Sequence, residues 1–108
     1  MLGRMDNTVD ATGGYRGAGY LKFRLSSLVV AAETAAEDAE LCSHVAKYLL
    51  IRDPVRERRL RQIAKAARLA ADRAKDRAGE LDWTGTLNAT RDATEQATLA
   101  HIALDQRV

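Results

Sequence analysis

The chain has 108 residues, of which 46% are hydrophobic and 5% aromatic, with one proline and one cysteine. This length fits one small domain, and the hydrophobic fraction excludes a disordered chain. Scarce aromatic residues beside abundant alanine argue against β architectures, and a single cysteine excludes an internal disulfide or a four-cysteine zinc site. The composition therefore predicts an all-α domain.

Charge is distributed unevenly along the chain, although the net charge is only +2. Residues 52–78 contain ten Arg and Lys against four acidic residues, whereas residues 79–108 contain two against five. A basic segment between mildly acidic neighbours bears on the binding partners of the protein rather than on its fold.

The sequence also bears on location. The longest nearly apolar run, Leu25 to Ala32, is too short to span a membrane. The N-terminus lacks the pattern of a cleaved secretory signal. We therefore expect no membrane span and a cytoplasmic protein, with export without a cleaved signal as the alternative.

The first helix is predicted over residues 21–51, after a flexible, glycine-rich tail at residues 1–20. One apolar stripe at helical spacing indicates its buried face: Leu21, Leu25, Leu28, Ala32, Ala35, Ala39, Cys42, Ala46 and Leu49. A second apolar strip follows another side of the same helix: Phe23, Val30, Leu41, Val45 and Tyr48. Two apolar faces predict contacts with two neighbours.

The second helix is predicted over residues 54–78. Asp53 is a good N-cap, Pro54 fits the first helical position, and Gly79 is a good stop. The buried stripe of this helix consists of Leu60, Ile63, Ala64, Ala67, Ala70, Ala71, Ala74 and Ala78.

The third helix is predicted over residues 87–106. Its stripe consists of Ala89, Ala93, Ala97, Ala100 and Leu104. We therefore predict a three-helix, up-down-up bundle, or long helical hairpins, with alanine-rich, coiled-coil-like packing in a single domain over residues 21–108.

Bulky apolar residues outside the main stripes point to a protein interface. An alanine seam lets helices approach closely but contributes little hydrophobic free energy in a chain of this size. The predicted interface residues are Phe23, Val30, Leu41, Val45, Tyr48, Leu99 and Ile102. We expect a homo-oligomer or a complex with another helical protein; the alternative is a marginal monomeric bundle.

Basic residues gather where the first two helices meet. They are Lys47, Arg52, Arg56, Arg58, Arg59 and Arg61. Antiparallel pairing about residue 53 places the acids of the first helix, Glu33, Glu37 and Glu40, within reach of Lys65, Arg68 and Arg73 and away from this tip. One reading is a patch for an acidic protein or nucleic acid. The other is a solvated face with Glu57–Arg61 and Arg68–Asp72 pairs.

No set of residues predicts catalysis or a cofactor. Glu33, Glu37, Glu40 and His44 share a helix face but lack the Glu-x-x-His spacing and a matching second helix, so we predict no metal site. Cys42 lies on the buried stripe of the first helix and is predicted to act as a small hydrophobic residue. His101 lies beside the buried stripe of the third helix and is predicted to be a partly buried structural histidine. With no phosphate loop and no nucleophile–base pair, we expect no enzyme, no cofactor and no small-molecule substrate.

The segment Leu81-Asp82-Trp83-Thr84-Gly85 resembles the Trp-x-Gly turn of the small helical-hairpin proteins exported by type VII secretion systems. The resemblance covers about residues 60–108. It implies that Trp83 and Gly85 form the turn between two antiparallel helices. It also implies a non-enzymatic protein that pairs as a homo- or heterodimer, which adds a type VII-like exported partner to the candidate functions.

Overall fold

The structure is a computed structural model that describes residues 14–105, with side chains described from residue 19. It contains three helices: α1 (Gly14–Ala46), α2 (Pro54–Gly79) and α3 (Trp83–Asp105). All three pack against one another in an elongated up-down-up bundle of about 65 × 19 × 16 Å. The predicted all-α three-helix bundle is confirmed. Within the described residues, no helix is both long enough and apolar enough to cross a membrane.

The core is a seam of small side chains. The fully buried positions on all three helices are mainly alanines, and Leu25 and Leu60 are the largest hydrophobic side chains among them. The predicted stripes account for most of this core, because apolar residues at helical spacing fall on the same face. Thr86 and Thr90 are buried as well, although the alanine pattern of the third helix did not include them.

Polar contacts between helices set the register of the bundle. Arg68 of α2 donates two hydrogen bonds to the Glu40 carboxylate of α1, at 2.9 and 2.7 Å. The Thr90 hydroxyl of α3 donates to the carbonyl oxygen of Leu28 in α1, at 3.2 Å. The expectation that acids of the first helix reach Arg68 is confirmed, whereas Arg73 pairs with an acid of α3 instead.

Both predicted ends of the first helix are wrong. Helix α1 begins at Gly14, inside the predicted tail; residues 1–13 of that tail lie outside the described residues. Once a helix has been nucleated, each further residue adds one hydrogen bond. The helix can therefore extend into a segment that would not nucleate a helix by itself. At the other end α1 stops at Ala46, its last buried residue. The hydrogen bond from Tyr48 N to the Val45 carbonyl, 2.9 Å, tightens the chain into the reversal.

The start of α2 matches the sequence prediction. Asp53 is the N-cap, and its carboxylate accepts hydrogen bonds from the backbone N–H groups of Val55 (3.0 Å) and Arg56 (3.2 Å). Pro54 occupies the first turn, where its missing N–H costs no hydrogen bond. The connection from α1 therefore spans residues 47–53.

The connection from α2 to α3 differs from the predicted Trp-x-Gly turn. The reversal lies at Glu80–Asp82, where Leu81 has a left-handed backbone with φ of 58°, and Trp83 is already the first residue of α3. Asp82 caps the helix, since its carboxylate accepts the N–H of Gly85 at 2.9 Å. A Cβ on residue 85 would collide with that carboxylate. Gly85 thus leaves room for the cap rather than forming the reversal, and the predicted start at residue 87 is too late.

Candidate functional site

The predicted interface residues all lie on the surface. Phe23, Val30, Leu41, Val45, Tyr48, Leu99 and Ile102 are all exposed. The second strip of the first helix therefore lies outside the core of the bundle, and its residue Leu41 borders the groove between α1 and α3. That another chain covers this strip remains a prediction.

The strip on α1 is interrupted halfway along. Thr34 and Glu37 occupy the positions between Val30 and Leu41 at helical spacing, and both are exposed. The strip thus divides into a short N-terminal part and a larger C-terminal part. The C-terminal part runs on into the connection, where Leu50 is 99% exposed.

We call this C-terminal part the apolar end surface. It consists of Leu41, Val45, Tyr48, Leu50 and Ile51, which are all exposed. The Tyr48 ring packs edge-on against His44, with 5.1 Å between ring centroids, so it is held over the last turn of α1. The sequence analysis missed Leu50 and Ile51 because it placed both inside the first helix.

Leu99 does not join this surface. Leu99 lies two turns after Asp92, which pairs with Arg73 of α2, so it is on the α2 side of α3. The α1 side of α3 carries His101, which contacts Asp38. Leu99 of the predicted interface is therefore separate from the residues on α1, and Ile102 is exposed.

The basic patch is smaller than the sequence suggests. Arg52 donates two hydrogen bonds to the nearly buried Glu57 carboxylate, at 2.8 and 2.5 Å. This guanidinium holds the pKa of Glu57 below its usual range, and the nearby charges of Arg61 and Lys47 act in the same direction. The predicted Glu57–Arg61 pair is replaced by the pair with Arg52.

Arg56 also has a structural role, since its guanidinium donates to the carbonyl oxygen of Leu104 at the end of α3, 3.2 Å away. Lys47, Arg58, Arg59 and Arg61 are exposed. Within residues 14–105, no acidic side chain lies within ion-pair distance of these four. They are the part of the basic patch that can face a partner.

Two residues of the acidic face of α1 have other partners. Glu40 is bound to Arg68, which lowers the pKa of its carboxyl group chiefly through the side-chain hydrogen bond. His44 packs on Tyr48.

A different set of potential ligands meets across the α1–α3 contact. His101 Nε2 lies 2.8 Å from Asp38 Oδ2, and the donor atoms of Asp38, Cys42 and His101 all lie within 4.8 Å of one another. The His101 side chain is 55% exposed and contacts α1 through Asp38. Cys42 is buried, as expected; this burial, with the charges of Asp38 and Asp105, raises the pKa of its thiol.

An open groove of about 670 Å³ lies beside this cluster. Ala31, Thr34 and Leu41 of α1 and Thr94 and Thr98 of α3 line it, together with Asp38 and His101. The two polar members of the cluster are therefore reachable from solvent.

Comparison with protein-family models gives no match. The search of curated proteins and the search of solved structures give none either. The resemblance to type VII hairpin proteins stays a prediction.

Proposed function

We propose that this chain is a non-enzymatic helical interaction protein that pairs with a second helical chain, in the first place a copy of itself, through the apolar end surface. The observation that carries the proposal is the contrast between the interior and this surface. The interior is built mainly of alanine, while Leu41, Tyr48, Leu50 and Ile51 are well over half exposed. Burying one large aliphatic side chain contributes about 1.5–3 kcal/mol.

Exposed apolar residues scattered singly are ordinary on soluble proteins, but a group of them on one face is not. Here three of the five surface residues, Tyr48, Leu50 and Ile51, fall within four positions of one connection. A helix end that presents side chains in this way fits a groove or a helix face of another chain.

Charge next to the surface supports pairing with a copy. Glu33 and Glu37 lie one to two turns before Leu41, and Lys47 follows Val45. The chain thus carries both signs beside the same apolar residues. A second copy packed antiparallel and staggered brings acidic residues of one chain toward basic residues of the other, which fixes register more than it adds affinity.

Leu50→Asp is expected to weaken self-association about 30-fold, corresponding to about 2 kcal/mol for a carboxylate taken out of water without a partner. Because Leu50 is almost fully exposed, the change leaves the fold intact. Light scattering on a sizing column, over a range of concentrations, gives the mass of each species.

The matched control is Leu69→Asp, which places the same charge on an exposed leucine of α2. It should leave the mass and its concentration dependence unchanged. A chain that is monomeric at every concentration, or one that Leu50→Asp and Leu69→Asp affect equally, contradicts pairing through this surface.

A second candidate function is nucleic-acid binding, favoured by the exposure of Arg58 and Arg59 in the second turn of α2. Neither guanidinium group lies within ion-pair distance of an acidic side chain among residues 14–105. Two adjacent exposed cations of this kind can neutralise phosphates of a nucleic-acid backbone.

The double variant Arg58→Gln/Arg59→Gln is expected to weaken binding to a short DNA duplex and to reduce the slope of log K against log salt by about 2. Fluorescence anisotropy at several salt concentrations measures both. Lys75→Gln/Arg91→Gln removes the same charge from other exposed positions and should change the slope less. Equal effects of the two double variants would indicate binding by net charge alone.

A further inference from the structure

Three side chains of different ligand chemistry converge where α1 meets α3. Asp38 and Cys42 are one helical turn apart on α1, so both point to the same side. His101 reaches them from α3, with its Nε2 atom 2.8 Å from Asp38 Oδ2. All three donor atoms lie within 4.8 Å of one another.

These separations come close to those of a coordinated metal. Zinc lies about 2.3 Å from a thiolate and about 2.0–2.1 Å from imidazole or carboxylate atoms. Tetrahedral angles then place ligand atoms about 3.3–3.6 Å apart. The His101–Asp38 pair must open slightly and Cys42 must approach, which small side-chain rotations can achieve because neither partner of the pair is fully buried.

We propose that Asp38, Cys42 and His101 form a three-ligand site for a divalent transition metal of the zinc type. A set of one oxygen, one sulfur and one nitrogen donor suits zinc, whereas magnesium and calcium prefer oxygen alone. The groove beside Asp38 and His101 leaves the fourth position to water. Binding converts the Cys42 thiol to a thiolate and releases its proton to solvent.

Electrostatics and position both favour such a site. Asp38 and Asp105 place negative charge close to the Cys42 sulfur, and a bound dication neutralises that charge. The metal also joins two helices whose shared interior is mainly alanine. It therefore adds a cross-link between α1 and α3. This inference does not depend on the apolar end surface.

Cobalt(II) is the probe for the first experiment. The sequence contains one cysteine, so a thiolate-to-cobalt charge-transfer band can come only from Cys42. Titrating the metal-free chain with cobalt is expected to give this band together with visible bands of tetrahedral cobalt, at one equivalent per chain. Zinc is expected to displace the cobalt and to raise the thermal unfolding midpoint.

Variants separate the site from adventitious binding. Asp38→Asn and His101→Gln alter partly exposed side chains and keep the fold; each is expected to weaken zinc binding at least tenfold in calorimetric titration, since even outer-shell partners contribute about 10–100-fold. Cys42→Ser is expected to abolish the charge-transfer band. His44→Gln, which changes a histidine two residues from Cys42 that packs on Tyr48, should leave both readouts unchanged.

The absence of the charge-transfer band at saturating cobalt would overturn the proposal. So would a zinc affinity that Asp38→Asn and His101→Gln leave unaltered, or that His44→Gln lowers as much as they do. Circular dichroism of each variant shows that it is folded before the titration is read.

Discussion

Leu60→Ala is expected to destabilise the protein by about 2–5 kcal/mol, the range for removing most of a fully buried leucine side chain. Leu60 is 0% exposed, and the core cluster around it consists almost entirely of alanines with Ile63. Alanine side chains are too short to move into the space that the leucine leaves. The cavity therefore persists, and the cost falls toward the upper part of the range.

This loss is large compared with the total stability of the domain. Domains have about 0.05–0.15 kcal/mol of stability per residue, and an alanine core places this one toward the lower end. Each kilocalorie shifts the unfolding midpoint of a domain of this size by about 4–8 °C. Urea unfolding followed by far-ultraviolet circular dichroism measures the change in free energy directly.

Leu69→Ala is the matched control, because Leu69 is an exposed leucine on the same helix. It should change stability by no more than about 0.5 kcal/mol. If Leu60→Ala cost as little as Leu69→Ala, then the alanine seam would not be the site of tight packing.

The three helices and their buried stripes could be predicted from the sequence, because helical periodicity is a local signal that survives packing. The contact between Glu40 and α2 followed from antiparallel pairing alone. Helix ends were less predictable. The start of α3 depends on the Asp82 cap and on the space that Gly85 leaves for it, whereas the sequence prediction placed Trp83 and Gly85 in the turn.

The candidate sites, too, could be predicted from the sequence only in part. Exposed apolar residues such as Leu41 could be found because they fall outside the buried stripe. Leu50 was not among the predicted interface residues, because the predicted first helix ran to residue 51 and so included most of the connection. The contact of Asp38 with His101 spans 63 residues. It depends on the register of α1 against α3, which no local pattern contains.

Ala36→Leu is expected to destabilise the protein by about 1–3 kcal/mol, or more if the helices cannot separate. Ala36 is fully buried in the core cluster. Packed helices lie about 8–10 Å apart depending on the side chains between them, and alanine favours the short end of that range. A leucine at this position pushes α1 away from its neighbours and removes contacts from the alanines along the seam. Thermal and urea unfolding measure the loss.

Ala31→Leu provides the comparison, because Ala31 is an exposed alanine on the same helix. Leucine has nearly the helix propensity of alanine, so this change should be close to neutral. A bundle with loosely spaced helices would respond in the opposite way: leucine at position 36 would fill space and raise stability. The sign of the Ala36→Leu effect therefore decides whether close approach or hydrophobic bulk holds the three helices together. Close approach explains why large apolar side chains are left on the surface.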